Sequence, residues 1–157
     1  MESMLISGVA VDKNAARIAV IGVEDVPGIA FKMFDLLAKH NINVDVILQS
    51  IGREGTKDIS FTVARDDLQE AVTILNENKS RITAKEIQSD DTVAKVSIVG
   101  AGMQSNPGVA SRMFEALYNV GINIRMIATS EIRITVLINE EDVEKAMRAV
   151  HDEFMQE

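Results

Sequence analysis

No cysteine and no tryptophan occur among the 157 residues. The lack of cysteine excludes disulfides and thiolate metal sites, and makes a cytoplasmic location the expectation. Aromatic residues are only 4% of the chain, and Phe31, Phe34 and Phe114 fall in predicted helices. That leaves no aromatic platform of the kind on which sheets stack RNA bases. Basic residues are outnumbered, with Lys+Arg 16 against Asp+Glu 24 and a formal net charge of −8. Phosphate-backbone binding depends on clustered Lys and Arg, so no nucleic-acid partner is expected. No apolar run approaches the roughly 20 residues a membrane helix needs, so no membrane partner is expected either. The opening MESMLISGVAVDK has no basic n-region and no cleavable apolar segment, which argues against secretion.

Catalytic signatures are scarce as well. The two histidines, His40 and His151, lie near the ends of predicted helices, where imidazole suits the helix dipole. No HExxH, Walker A loop or GxSxG occurs. Gly100-Ala101-Gly102 begins a dinucleotide-loop pattern, but Ser105 stands where the next glycine is required. The acidic groups Asp66-Asp67, Asp90-Asp91 and Glu140-Glu141-Asp142 read as solvated helix starts and loops, because negative charge is favoured there. The methionines read as core filler. No catalytic residue, metal site or cofactor is expected.

What is present is a folded chain that contains itself twice. Its 46% hydrophobic and 25% charged content is that of a globular protein. ARIAVIGVEDVPGIAFKMFDLLAKHNINVDVILQS (16–50) aligns with AKVSIVGAGMQSNPGVASRMFEALYNVGINIRMIATS (94–130) once two extra residues precede the second proline. From Pro27 and Pro107 onward about ten of roughly two dozen positions are identical, a duplication by any standard.

Each copy has a legible order of elements. Arg17 to Val23 and Lys95 to Ala101 are β-branched, apolar runs that predict buried strands. A Pro-Gly pair closes the following loop, with proline favoured in a first helical turn. The helices that follow carry apolar stripes, Ala30, Met33, Phe34 and Leu37 in one and Ala110, Met113, Phe114 and Leu117 in the other. Asn43 to Ile51 and Asn123 to Thr129 return as strands. Turns at Gly52-Arg53-Glu54-Gly55 and at Ser130-Glu131 lead into strands Asp58 to Ala64 and Ile132 to Ile138. Second helices follow. The first has an Asp66–Gln69 capping box and a Leu68, Ala71, Val72, Leu75 stripe. The other has Asn139 as N-cap, with Val143, Ala146, Met147, Val150 and Phe154 behind it.

Arg81 to Ile87 adds a last strand to the first copy, completing βαββαβ. That order predicts an α+β fold of two ferredoxin-like units, each with helices on one face of an antiparallel sheet. The second copy has no last strand of its own, whereas the spare N-terminal segment Met4 to Val11 is strand-like. The expected domains are therefore 15–88, and 4–14 together with 89–157, with the first inserted in the second.

The duplicated loop, Val23 to Ala30 and Met103 to Ala110, has two readings. One is a plain strand-to-helix connection. The other is a binding site, because free N–H groups at a helix start attract a carboxylate and glycine lets a ligand approach the main chain. Gly28 to Ala30 would supply donors to an amino-acid carboxylate, and Asp25 or loop carbonyls would accept from its ammonium group.

VPGIA, NINVDVILQS, DISFTV, KVSIVGAGM, NPGVASRMFEAL and INIRMIATSEIRITVLI resemble the tandem ACT domains of the aspartate kinase family over essentially the whole chain. The resemblance implies the regulatory part of an ATP-dependent enzyme that phosphorylates the aspartate side-chain carboxylate, with the catalytic domain absent from this chain. It implies a homodimer through the ACT domains, a partner catalytic subunit or domain, and threonine and lysine as effectors. By the same resemblance threonine would sit at Asp25, Pro27, Gly28, Ile29 and Ala30, with Gln49 reaching its hydroxyl and Asn123 and Ile124 coming from the partner chain. Lysine would occupy Met103, Asn106, Pro107, Gly108, Val109 and Ala110. Asp45 of the second chain, with Ser130 and Glu131 nearby, would meet its cationic end. Asn106 and Ala110 depart from the family pattern, which often has histidine and threonine there. The competing possibility is a dimerisation module indifferent to amino acids.

Overall fold

The computed structural model describes residues 6–52, 54–100 and 107–155. Among these described residues, eight strands and four α-helices occur in the order β1(Ile6–Asp12), β2(Ala16–Glu24), α1(Ile29–Lys39), β3(Val44–Ile51), β4(Thr56–Val63), α2(Leu68–Glu77), β5(Glu86–Asp90), β6(Val93–Gly100), α3(Val109–Asn119), β7(Met126–Thr129), β8(Arg133–Asn139) and α4(Val143–Met155). They form two compact units. Residues 14–91 make one, and residues up to Lys13 join those from Thr92 onward in the other.

The first unit is a four-stranded sheet in the order β3-β4-β2-β5, with every neighbouring pair antiparallel. Alternate residues of its central strands are apolar because one face lies under helices α1 and α2. Ile18, Val20, Ile59 and Phe61 from the sheet meet Met33 and Leu37 of α1 and Ala71 and Leu75 of α2, all buried. The Phe34 and Phe61 rings meet edge to face, centroids 5.2 Å apart, a geometry their quadrupoles favour.

The second unit repeats the plan in the order β1-β6-β8-β7. Here β1 pairs antiparallel with β6, Val9 opposite Ile98 and Val11 opposite Val96. It takes the edge that β5 takes beside β2 in the first unit. Val96, Ile98, Met113, Leu117, Val136 and Val150 form the core, with Val9 and Val11 packed against it. In this unit Ser97 Oγ and Thr135 Oγ1, both buried, satisfy one another at 2.8 Å.

Several local expectations change in the structure. The prolines are not in the first helical turn: Gly28 and Gly108 are the N-caps, with φ 94 and φ 100, and Ile29 and Val109 begin the helices. The Asp66–Gln69 capping box does not form. The chain enters α2 through a 3-10 turn at Arg65–Asp67, whose cap is Ala64, and the Arg65 N–H is met by Asn14 Oδ1 at 2.9 Å instead. Asn139 stands at the corresponding place before α4 but makes no cap bond. Its Oδ1 accepts from Arg125 Nε at 3.2 Å.

The last strand of the first copy is displaced, because residues 81–83 are a turn and β5 starts at Glu86. Ile82 is fully buried in the first core and Thr83 has φ 56, so tertiary packing takes RIT out of the strand. The strand then continues through Asp90 beside β2, and the first unit closes at Asp91. Asn123 to Arg125 precede β7 rather than belonging to it. Met147 lies on the solvent side of α4, 43% exposed, rather than in its buried stripe.

Both first helices end alike. Asn41 and Gly121 adopt positive φ, and Ile42 and Ile122 donate back to Leu37 and Leu117 at 3.0 Å while burying their side chains. This glycine-type stop ends the first helix in each copy.

Candidate functional site

The site in the first unit is built at the end of β2. Near that end the strand carries a bulge. Val20 pairs with Ile59 but Val23 pairs with Lys57, so β2 holds one extra residue. Gly22 sits in the bulge with φ 72, and its N–H is held by Asp58 Oδ1 at 2.9 Å. A glycine in the left-handed region is what such a bulge requires. Its effect is to turn the next loop across the end of the sheet, where the Asp25 N–H donates to Gly55 O at 2.8 Å.

From Asp25 the chain passes Val26 and Pro27 to the glycine N-cap. The Gly28 carbonyl accepts the first helical bond, from the Lys32 N–H at 3.0 Å, and no side chain caps the helix. The N–H groups of the first turn therefore have no intrahelical acceptor. A Cβ built on Gly28 would meet nothing within 4 Å, so the space beside this main chain is open. Asp25, Pro27 and Gly28 are exposed, Ala30 is half-buried, and Ile29 is anchored in the core.

Gln49 lies on edge strand β3 directly opposite Ile59. Directly opposed residues of an antiparallel pair share a face, so Gln49 stands on the helix-bearing side of the sheet. Asp25, Pro27, Gly28, Ile29, Ala30 and Gln49 are thus all carried at or near the β2–α1 end of one unit. Asn123 and Ile124 belong to the other unit, between α3 and β7, the first exposed and the second half-buried against its own core.

One residue of this end was not singled out by sequence. Lys57 pairs across β4 with Val23 and follows the alternation Lys57, Ile59, Phe61, Val63 on the face beneath the helices. Its side chain is 12% exposed, and Nζ lies 3.4 Å from Asp25 Oδ1. The alternation was readable in the sequence: a lysine in phase with three core residues needs an acid. The acid is 55% exposed, so the pair contributes about 0.2–1 kcal/mol to folding.

In the second unit, Pro107 and Gly108 are exposed and Val109 is in the core, with Ala110 half-buried beside it. Gly108 repeats the open glycine cap, with nothing within 4 Å of a built Cβ. Met103 and Asn106 lie outside the described residues. Asp45 is exposed on β3. Ser130 and Glu131 are exposed in the β7–β8 turn, where the Ser130 N–H donates to Arg133 O at 2.8 Å.

A separate cleft of about 400 Å³ lies at the opposite end of the first sheet, lined by Arg65, Gln69, Thr73, Ser89 and Asp91 among others. It includes none of the predicted ligand residues. Among the described residues no cluster of three or more potential ligands could hold a metal ion, and no helix is long and apolar enough to cross a membrane.

Comparison with known proteins gives a consistent picture. A family model described as "ACT domain" matches residues 18–78 and 96–154. The aspartokinase of Pseudomonas aeruginosa is 47% identical over 154 residues, 98% of this chain and 37% of that protein. That of Corynebacterium glutamicum is 46% identical over 156 residues, again 98% and 37%. The chain thus spans little more than a third of these relatives. It spans nearly all of two chains of known structure. One comes from a crystal structure of aspartokinase alpha and beta subunits, with 49% identity, TM-score 0.88, and 96% of this chain and 99% of that one covered. The other is the ligand-free regulatory subunit of aspartate kinase from Thermus thermophilus, with 45% identity, TM-score 0.89 and the same coverage.

Proposed function

The chain belongs to the ACT-domain family, as a regulatory region of the aspartate kinase type and not its catalytic part, and on that premise we propose that it binds threonine and lysine as feedback effectors. The observation that carries this reading is the end-to-end match to aspartate kinase regulatory subunits. The open glycine caps at Gly28 and Gly108, and the acid placed beside the first of them, support it.

Threonine is assigned to the first unit. The first-turn N–H groups of α1 meet its carboxylate, Asp25 its ammonium group and Gln49 its hydroxyl, with Asn123 and Ile124 supplied by a second copy of the chain. Lysine is assigned to the second unit at Met103, Asn106, Pro107, Gly108, Val109 and Ala110. Asp45 of the second copy then meets its cationic end, with Ser130 and Glu131 nearby. The divergence between the copies supports different effectors, since Arg125 and Thr129 stand where the first copy has Asp45 and Gln49. In this reading the chains pair as a homodimer in the cytoplasm and no cofactor takes part. Two ACT domains, the first set within the second, transmit effector binding to a catalytic subunit or domain that phosphorylates aspartate. Binding inhibits only if the effector has higher affinity for the inactive arrangement.

Calorimetry of the full chain with threonine and with lysine tests the reading. A charge-assisted hydrogen bond contributes about 1.5–3 kcal/mol, so Asp25→Ala is expected to weaken threonine binding about 10- to 100-fold. No heat from either amino acid, together with a dimer whose sedimentation ignores threonine, would leave the ligand-independent dimerisation module as the function.

A further inference from the structure

Lys57 carries a charge on a face otherwise given over to the core. It is in step with Ile59, Phe61 and Val63, and its side chain is 12% exposed. A largely desolvated ammonium group is costly without an opposing charge, and Asp25 Oδ1 at 3.4 Å supplies one. The acid is itself held, because its N–H donates to Gly55 O at 2.8 Å. The pair therefore spans from the β2–α1 loop to the start of β4 and is anchored at both ends by backbone.

Resting on the amino-acid reading above, we propose that Lys57 is a specificity-determining residue of the first site, which makes Asp25 accept a ligand ammonium group only from a ligand that also brings a carboxylate. Asp25 and Lys57 together carry no formal net charge. A zwitterionic amino acid adds one ammonium and one carboxylate group, so each charge in the site keeps an opposing neighbour. A simple amine adds a second cation beside Lys57 with nothing to balance it. Like charges a few ångströms apart in a partly desolvated site repel strongly. The proximity of Lys57 thus converts a general cation acceptor into a zwitterion filter.

The duplication supplies an internal comparison. Ile59 opposite Val20 corresponds to Ile134 opposite Ile98, which places Ile132 where the first unit has Lys57. Ile132 is uncharged and 55% exposed. The filter is therefore confined to the first unit, and the second carries no cation at this position to oppose a positively charged ligand.

The test is calorimetry of the full chain with L-threonine and with L-threoninol, in which the carboxylate is reduced to an alcohol. Only the component abolished by Asp25→Ala is compared. Lys57→Met is expected to reduce the threonine-to-threoninol affinity ratio by about tenfold or more, and Lys57→Arg to keep it within about threefold. General damage to the loop lowers both affinities together and leaves the ratio where it was. If Lys57→Met does not fold, as judged by circular dichroism, Lys57→Gln makes the same comparison. Equal loss for both ligands, or threoninol remaining undetectable while threonine binds, assigns Lys57 a purely structural role and overturns the proposal. A wild-type chain that binds no threonine instead removes the amino-acid reading itself, and this is seen before any variant is made.

Discussion

Alanine at the two glycine caps is the most direct probe of how this fold makes its ligand-facing loops. Gly28 has φ 94 and Gly108 has φ 100, both in the region that Cβ-bearing residues avoid. In neither case would an added Cβ meet any atom within 4 Å. Collision therefore contributes nothing to the cost, and the penalty is the local backbone term alone. Left-handed backbone costs an L-residue about 1–2 kcal/mol, and the stiffer unfolded chain offsets about 0.4–1 kcal/mol of that. Gly28→Ala and Gly108→Ala should each lose about 0.5–1.5 kcal/mol. They lie in separate cores, so the double variant should lose close to the sum.

The assay is urea unfolding followed by far-UV circular dichroism at fixed protein concentration, without amino acids, because a ligand would add its own stabilisation. In a thermal scan each kcal/mol corresponds to about 2–4 °C for a chain of this size unfolding as one unit. A loss above about 3 kcal/mol would mean that the Cβ meets something and that the loop is not open. Unchanged or increased stability would mean that the cap relaxes to negative φ at no cost, and the argument from open left-handed caps would fall.

Two further predictions concern the second core. Ser97→Ala leaves the buried Thr135 hydroxyl without its 2.8 Å partner and should cost about 1–3 kcal/mol, whereas Ser97→Ala with Thr135→Val should recover much of that loss; urea midpoints for the three variants decide. Removal of residues 1–12 uncovers the edge of β6 and takes away Val9 and Val11, which pack on the second core. Hydrogen exchange should then speed up in β6 and β8 and remain slow in β2 and β4, and equal acceleration in both sheets would refute the separate-core description.

Element order was legible because the periodicities are strong and occur twice. Ile18, Val20, Ile59 and Phe61 alternate as strand residues, Met33 and Leu37 recur at helical spacing, and the second copy repeats each pattern. Helix starts were misjudged where local chemistry offered a plausible cap that the tertiary structure had already assigned elsewhere. Asn14 reaches Arg65 from a distant part of the chain. Asn139 is taken by Arg125. Residues 81–83 have strand-like composition, yet burial of Ile82 outweighs β-propensity, which amounts to about 1 kcal/mol at most.

The sequence alone determined the duplication, the α+β order of elements, the absence of a catalytic signature and the glycine-marked loops, since all of these reside in spacing and composition. Only the tertiary structure decided where the strand that closes the first sheet begins, how the bulge at Gly22 turns the loop, and that Lys57 faces Asp25 across it. The physical reason is the same in each case. Periodicity states which face of an element is buried, but the partner of a charge or of a sheet edge is chosen among groups far apart in the chain. That choice exists only once the chain has folded.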